Sequence, residues 1–290
     1  MNKILIASPG KSSPTTSMII DEAKKVFNVM HVPIDRINLI VETGSVSCEY
    51  NKQDLTKVDY FLPKIDAPRR EYGYQVVKAF DMIDVPKPYR AETVLVAHDK
   101  FLTTEMLARQ NIAVPKTYLF KTGEHAEDLV DMINFPVMVK LKGGSGGKGV
   151  MYVSDANAMK SILKSMEVLK QQVLIQEFID NPGEDIRVLV VGDEIAGAYK
   201  RVAKEGEKRA NIKIGGSGVR YTPSKEIEEM SLKIAKIMDT RIIAVDILES
   251  KSGPVVLEVN INPGIRGMTE ATDINIAKRI VDYIETQVRK

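Results

Sequence analysis

Strands alternating with helices over the first ninety residues, then strands following one another directly, predict an α/β fold for the N-terminal unit and α+β folds for the rest. Three observations carry that reading. Short apolar runs at Lys3 to Ala7, Val29 to Ile34, Ile37 to Val41 and Tyr60 to Ile65 have strand length. Between and after them, apolar residues at 19, 23, 26 and 27 (Ser17 to Phe27) and at Val76, Val77, Phe80 and Ile83 (Tyr72 to Ile83) recur at helical spacing. That alternation implies a parallel sheet with right-handed crossovers, a Rossmann-like unit over 1–95. The third observation is Val85 to Tyr89, where Pro86 and Pro88 interrupt both periodicities and suggest a linker.

A second unit, 96–178, opens at Asp99, a suitable N-cap for a helix over Lys100 to Gln110. Strands are expected at Thr117 to Phe120, Val137 to Leu141, Val150 to Val153 and Val173 to Phe178. Asp155 can cap a helix with apolar residues at 158, 159, 162, 163 and 166. The third unit, 179–290, has strands at Ile186 to Val191 and Ile195 to Arg201, then a polar, glycine-bearing stretch from Lys204 to Gly218. A helix over Lys225 to Met238 shows Ile227, Met230, Ile234 and Ile237 on one face. The closing helix, Ile274 to Val288, has Asp273 as a cap.

Composition bounds the function. In 290 residues, 41 basic side chains nearly balance 39 acidic ones, which gives no reason to expect a nucleic-acid or membrane partner. A single cysteine, Cys48, permits no internal disulfide and fits a reducing compartment, so a cytoplasmic protein is expected. His31, His98 and His125 make no zinc spacing, and no apolar run approaches membrane-spanning length.

Chemistry concentrates in four places. Asp246 to Asn260 reads as a hairpin around Ser250 to Pro254. Pairing centred on Ser252 sets Asp246 opposite Glu258, with Asn260 two residues along on the same face. Facing carboxylates repel, so a cation belongs between them, and three oxygen donors on one face suit magnesium that also holds phosphates. The plain alternative is an edge hairpin with its polar side in water. The second place, Lys140 to Gly149, holds five glycines in seven residues, including Gly146 and Gly147. Their backbone amides can approach a phosphate, with Lys140 at the strand end as a point charge. A strand rather than a helix follows, so the Gly144, Gly146, Gly149 spacing is not a dinucleotide fingerprint, and Lys148 before Gly149 is not a Walker loop. A flap over a nucleotide and a simple flexible turn are the readings left. Third, Gln176 and Glu177 end an apolar run where an adenine or ribose could sit. Fourth, Asp185, Arg187, Arg201, Arg209, Asn211 and Arg266 include arginines suited to oxyanions or a carboxylate; each taken singly also fits a solvated charged face.

In this order, these residues resemble the ATP-grasp superfamily and, within it, the RimK-like glutamate ligases. The resemblance runs from about Asp59 to the end. It rests on Phe61 to Ile65, Asp99-Lys100, Val139 to Leu141, Gln176 to Ile179, Asp185 to Arg187, Glu205-Gly206 with Arg209 and Asn211, Val245 to Leu248, and Glu258 to Asn260 with Asn262 to Gly264. It implies a three-domain fold with ATP between two α+β lobes. Lys100, Lys140 and the glycine loop would meet the phosphates, Glu177 and Phe178 the adenine, and Asp185 the ribose. Arg209 and Asn211 would face the reacting phosphoryl group. Asp246, Glu258 and Asn260 would hold two magnesium or manganese ions. Arg187, Arg201 and Arg266 are candidates for the other substrates. A homo-oligomer is expected by the same analogy. The chain departs from the family after Asn211, where Ile212 to Gly216 lacks the expected histidine and arginine.

The activity so implied is ATP-dependent carboxylate–amine ligation, with L-glutamate added to a carboxylate acceptor through an acyl-phosphate. No protein nucleophile is needed, in keeping with the lack of a suitable cysteine or histidine. A small-molecule kinase on the same fold and a nucleotide-binding regulatory protein without turnover remain as alternatives.

Overall fold

The computed structural model describes residues 1–10, 13–121, 128–141, 149–181, 183–203 and 217–289. The N-terminal part runs β1 (Lys3–Ser8), α1 (Pro14–Ala23), β2 (Asn28–Pro33), β3 (Asn38–Glu42), β4 (Ser45–Tyr50), β5 (Gln53–Asp54), β6 (Tyr60–Pro63), α2 (Arg70–Met82), α3 (Ala91–Ala97) and α4 (Lys100–Arg109). The middle part is β7 (Thr117–Lys121), β8 (Val137–Leu141), β9 (Val150–Val153), α5 (Ala156–Val168) and β10 (Gln172–Glu177). The last part is β11 (Glu184–Val191), β12 (Glu194–Val202), β13 (Ser217–Arg220), α6 (Lys225–Ile237), β14 (Ile242–Ser250), β15 (Gly253–Asn260), α7 (Arg266–Thr272) and α8 (Ile276–Val288).

The parallel sheet is present, in the order β2-β1-β6. Both of its faces are covered, so β1 is apolar on both. Ile4 and Ile6 enter one core with Tyr60, Leu62 and Ile19 of α1. Leu5 and Ala7 enter the other with Phe61, Val76 and Phe80 of α2. The run at Ile37 to Val41 does not join this sheet. It forms β3 of a small antiparallel sheet, β3-β4-β5. Two-residue turns decide this, because parallel strands need a long crossover. Gly44 takes φ +82° between β3 and β4, and Asn51 and Lys52 take +49° and +63° between β4 and β5. The polar stretch around Cys48 is therefore a strand, and Cys48 is buried in the core.

Other expectations shift at element ends. Ser13 caps α1 through Oγ to the Thr16 amide, so that helix starts earlier than expected and stops at Ala23. Asp273 does not cap the closing helix. It takes φ +57° and ends α7, a helix the periodicity did not show, while Asn275 Oδ1 caps α8 by accepting from the Lys278 amide. The proline stretch is no free tether. The Phe61 and Arg241 amides donate to the Pro86 and Pro88 carbonyls, and Tyr89 is buried.

The middle part forms the antiparallel sheet β7-β10-β8-β9, and the last part the sheet β13-β12-β11-β14-β15. Two hydrophobic cores are each shared by the parallel sheet and the five-stranded sheet. A third, around Phe120, Val139, Val153, Leu163 and Ile175, is confined to the middle part. Among the described residues no helix is long and apolar enough to cross a membrane.

Candidate active site

The five-stranded sheet changes character along one face. Beneath α7 and α8 it presents Leu189, Val191, Tyr199, Ile242 and Ala244 to a core. Two residues further along the same face come Arg187 on β11, Arg201 on β12 and Asp246 on β14, with Asp185 two beyond Arg187, because side chains alternate with a period of two. Asp246 pairs with Glu258 across β14 and β15. The turn at Lys251–Ser252 alone would put Leu257 there. A register shift beyond Ile247–Val256 leaves Leu257 without a partner and brings Glu258 into line. The expected pairing is therefore correct, and a bulge produces it.

Asp246 is held by two guanidiniums. Arg187 donates through Nε and Nη2 to its two oxygens, each at 2.7 Å, and Arg201 Nη2 lies 2.8 Å from Oδ2. Arg201 also forms a bidentate pair with Asp185. Burial alone would raise the Asp246 carboxyl, but the two arginines more than offset it and hold it well below the usual carboxylate range. At Asp185 burial prevails over Arg201, helped by the negative charge of Asp246, and the carboxyl is pushed up to about 6. Arg187 and Arg201, two of the arginines expected to bind oxyanions, are thus paired inside the protein, a pattern that sequence spacing could not reveal.

Glu258 is half exposed and accepts from Lys100 Nζ at 2.5 Å. Lys100 occupies the first turn of α4, where Asp99 Oδ1 accepts from the Phe101 and Leu102 amides. Lys140 reaches the same place from the middle sheet, on β8 between Leu174 and Val150. Burial, then the Lys100 ammonium, push its amine down to about 8 against the pull of Glu258 and Asp246. Two lysines from different elements thus converge on the carboxylate pair.

Glu177 ends β10 and Phe178 follows it. Their amides donate to the Lys116 and Pro136 carbonyls, and Phe178 packs edge-on against Tyr152 with ring centroids 5.2 Å apart. Arg266 opens α7, with its guanidinium 3.6 Å from Glu270 of the same helix. Gly146, Gly147, Arg209 and Asn211 lie outside the described residues. Gly149, at φ +74°, closes the glycine stretch, and β9 follows it as a strand.

Among the described residues no three His, Cys, Asp or Glu side chains are grouped to hold a metal. The donors opposite Asp246 nevertheless fit a hard divalent cation. Glu258 and Asn260 share a strand face and offer only oxygen, apart from the amide nitrogen, and positive charge is already drawn to Glu258 in the form of Lys100. Asn260 Oδ1 accepts one bond, from the Asn262 amide, which leaves it a lone pair. Asp246, with both oxygens on guanidiniums, is the donor least free to contribute.

A parallel-sheet unit packed on an antiparallel sheet whose carboxylates meet one lysine from a helix and one from a further small sheet defines the ATP-grasp class. Family models agree in both parts: a RimK PreATP-grasp domain matches residues 2–94, and a RimK-like ATP-grasp domain matches 97–284. The chain belongs to the RimK-like ATP-grasp family, and it is an ATP-dependent ligase. It is 35% identical to a probable alpha-L-glutamate ligase of Maridesulfovibrio salexigens over 86% of this chain and 84% of the relative. With one of the same description from Nitrosococcus oceani it shares 33% identity over 98% and 95%. In fold it is similar to a RimK domain ATP-grasp protein of Sphaerobacter thermophilus (TM-score 0.71, 21% identity, 96% and 98% covered). It is also similar to D-alanine–D-alanine ligase of Bacillus anthracis (TM-score 0.69, 18% identity, 100% and 98% covered).

Proposed function

We propose that this chain joins L-glutamate to a carboxylate acceptor at the expense of ATP, with an acyl-phosphate as intermediate. The observation that carries the reading is the convergence of Lys100 and Lys140 on the Asp246–Glu258 pair. In phosphoryl transfer the protein's task is to position reactants and neutralise charge, and this arrangement does both without a nucleophile of its own. Lys140, held between the middle and last sheets, would reach the phosphates of ATP, and Lys100 would release Glu258 to do so. Glu177 and Phe178, at the end of β10, would border the adenine. One or two magnesium or manganese ions, held by Glu258 and Asn260 with Asp246, would supply charge neutralisation on the phosphates.

The acceptor carboxylate attacks the γ-phosphorus, ADP leaves, and the amine of glutamate then displaces phosphate from the acyl carbon. Arg187 and Arg201 would fix Asp246 as an anion throughout, so that the floor of the site keeps one charge state. The relatives' descriptions support glutamate as the amino acid. The test is ADP formation with magnesium and each amino acid in turn, with and without a metabolite extract. Dependence on glutamate plus extract is expected. ADP formation indifferent to every amino acid would transfer the site to a kinase.

A further inference from the structure

The face of the parallel sheet that packs under α1 also turns from apolar to polar at one end. On β1, Ile4 and Ile6 enter the core and Ser8 follows them. On β6, Tyr60 and Leu62 do the same and Lys64 follows. On β2, His31 lies on this face beyond Val29. Ala7 pairs with Pro63, and the Lys64 amide donates to the Ala7 carbonyl at 2.8 Å, so Ser8 and Lys64 are lateral neighbours. Ser8 Oγ and His31 Nε2 are 2.8 Å apart.

Lys64 is only 7% exposed, and among the described residues its ammonium has no ion pair and no hydrogen bond. Burial alone pushes its amine down to about 8, with no carboxylate near enough to oppose that. A buried, uncompensated cation is a standing penalty unless something else requires it. Its place supplies the requirement. Ligands of open α/β sheets bind at the carboxyl ends of the strands, where Ser8 and Lys64 stand. The first turn of α1 lies there too, and Thr15 Oγ1 accepts at 3.1 Å from the Ile265 amide, in the turn that leads off the Glu258–Asn260 strand.

We infer that Lys64, with the Ser8–His31 pair beside it, anchors a carboxylate of one of the substrates to be joined: the α-carboxylate of the incoming amino acid, or a carboxylate of the acceptor. The inference rests on the ligase reading, for it is that reaction which brings two carboxylate-bearing substrates to one nucleotide. An anion arriving at Lys64 supplies the counter-charge that the fold withholds, and the Ser8 hydroxyl donates to the second oxygen.

The test uses the full chain as wild type, Lys64→Met and Lys64→Arg, with magnesium and a non-hydrolysable ATP analogue. Calorimetry follows binding of two probes, L-glutamate for the amino-acid arm and α-L-glutamyl-L-glutamate for the acceptor arm. Lys64→Met is expected to fold, to bind the nucleotide analogue within twofold of wild type, and to lose at least tenfold in affinity for one probe. The arm that loses names the source of the carboxylate. Lys64→Arg should recover to within about threefold. Unchanged affinity for both probes in Lys64→Met overturns the inference, as does a wild type that binds neither. Amino-acid-dependent ADP formation, measured separately, decides the ligase reading: its presence beside an indifferent Lys64→Met removes the anchor alone, and its absence in wild type removes the reaction.

Discussion

Glu258 faces Asp246 across a ladder, and its nearest cation is a lysine whose own salt bridge is half exposed. Such a pair adds at most about 1 kcal/mol to stability. Glu258→Gln should therefore melt close to wild type yet form ADP at least ~100-fold more slowly, the scale lost when a group that stabilises transition-state charge is removed. Calorimetric melting and an ADP assay on one preparation check both halves. Lys140 adds a pH dependence. Its amine, at about 8 in the free protein, must carry a proton to meet a phosphate, so nucleotide binding raises its pKa. Affinity is then full below pH 8 and falls by up to about tenfold per unit above it. Lys140→Met should bind the analogue roughly tenfold or more weakly at pH 7 and lose that slope. Lys64 also makes folding depend on pH. Between pH 8 and 10.5 the unfolded chain keeps the lysine proton that the folded one has released, so wild-type stability rises with pH across that window. Lys64→Met should be the more stable protein at pH 7, by about 3 kcal/mol at most, with the difference closing by pH 10.5 in urea titrations.

At the level of elements, the site depends on a cap and a bulge. Asp99 receives two amides at the start of α4 and so fixes the first turn from which Lys100 projects. Asp99→Ala should cost about 1 kcal/mol in urea unfolding, and the KM for ATP should rise with it; a KM unchanged at that stability loss would show that Lys100 is positioned by other means. The cap was legible in the sequence, as were the β14–β15 pairing, β8, β9 and the amphipathic α6 and α8, because each follows from periodicity or a local side-chain rule. What could not be read depends on partners distant in sequence. The internal pairing of Arg187 and Arg201 joins residues 59 and 45 positions from Asp246, and no spacing announces it. Lys64 lies within the stretch Phe61 to Ile65, but its burial without a counter-charge is a property of the packed sheet. The β3-β4-β5 sheet escapes the periodicity for a local reason: Thr43-Gly44 and Asn51-Lys52 are short hairpin turns, and the polar residues around Cys48 conceal a strand between them.

At the scale of the whole molecule, the described residues form three cores, and their division sets how it opens. Two are shared by the parallel sheet and the five-stranded sheet, so these parts unfold together. The third, behind Lys140, has among the described residues no buried member outside the middle part. A part with a core of its own can loosen while the remainder holds, since local opening follows the contacts that must be broken. Leu163 is buried in the third core, and Leu163→Ala should destabilise it by about 2–5 kcal/mol. Cys48 reports on the first core: it is 1% exposed, and burial pushes its thiol up to about 11, so alkylation awaits opening of the N-terminal part. In Leu163→Ala, amides of β8 and β10 should exchange with deuterium tens of times faster or more, while Cys48 alkylation at pH 8 keeps its wild-type rate. Nucleotide analogue with magnesium should slow the β8 and β10 exchange again, because Lys140 on β8 then ties the third core to the carboxylates of the last sheet. Parallel acceleration of Cys48 labelling would mean that the three cores open as one, and that the nucleotide enters between parts that never separate.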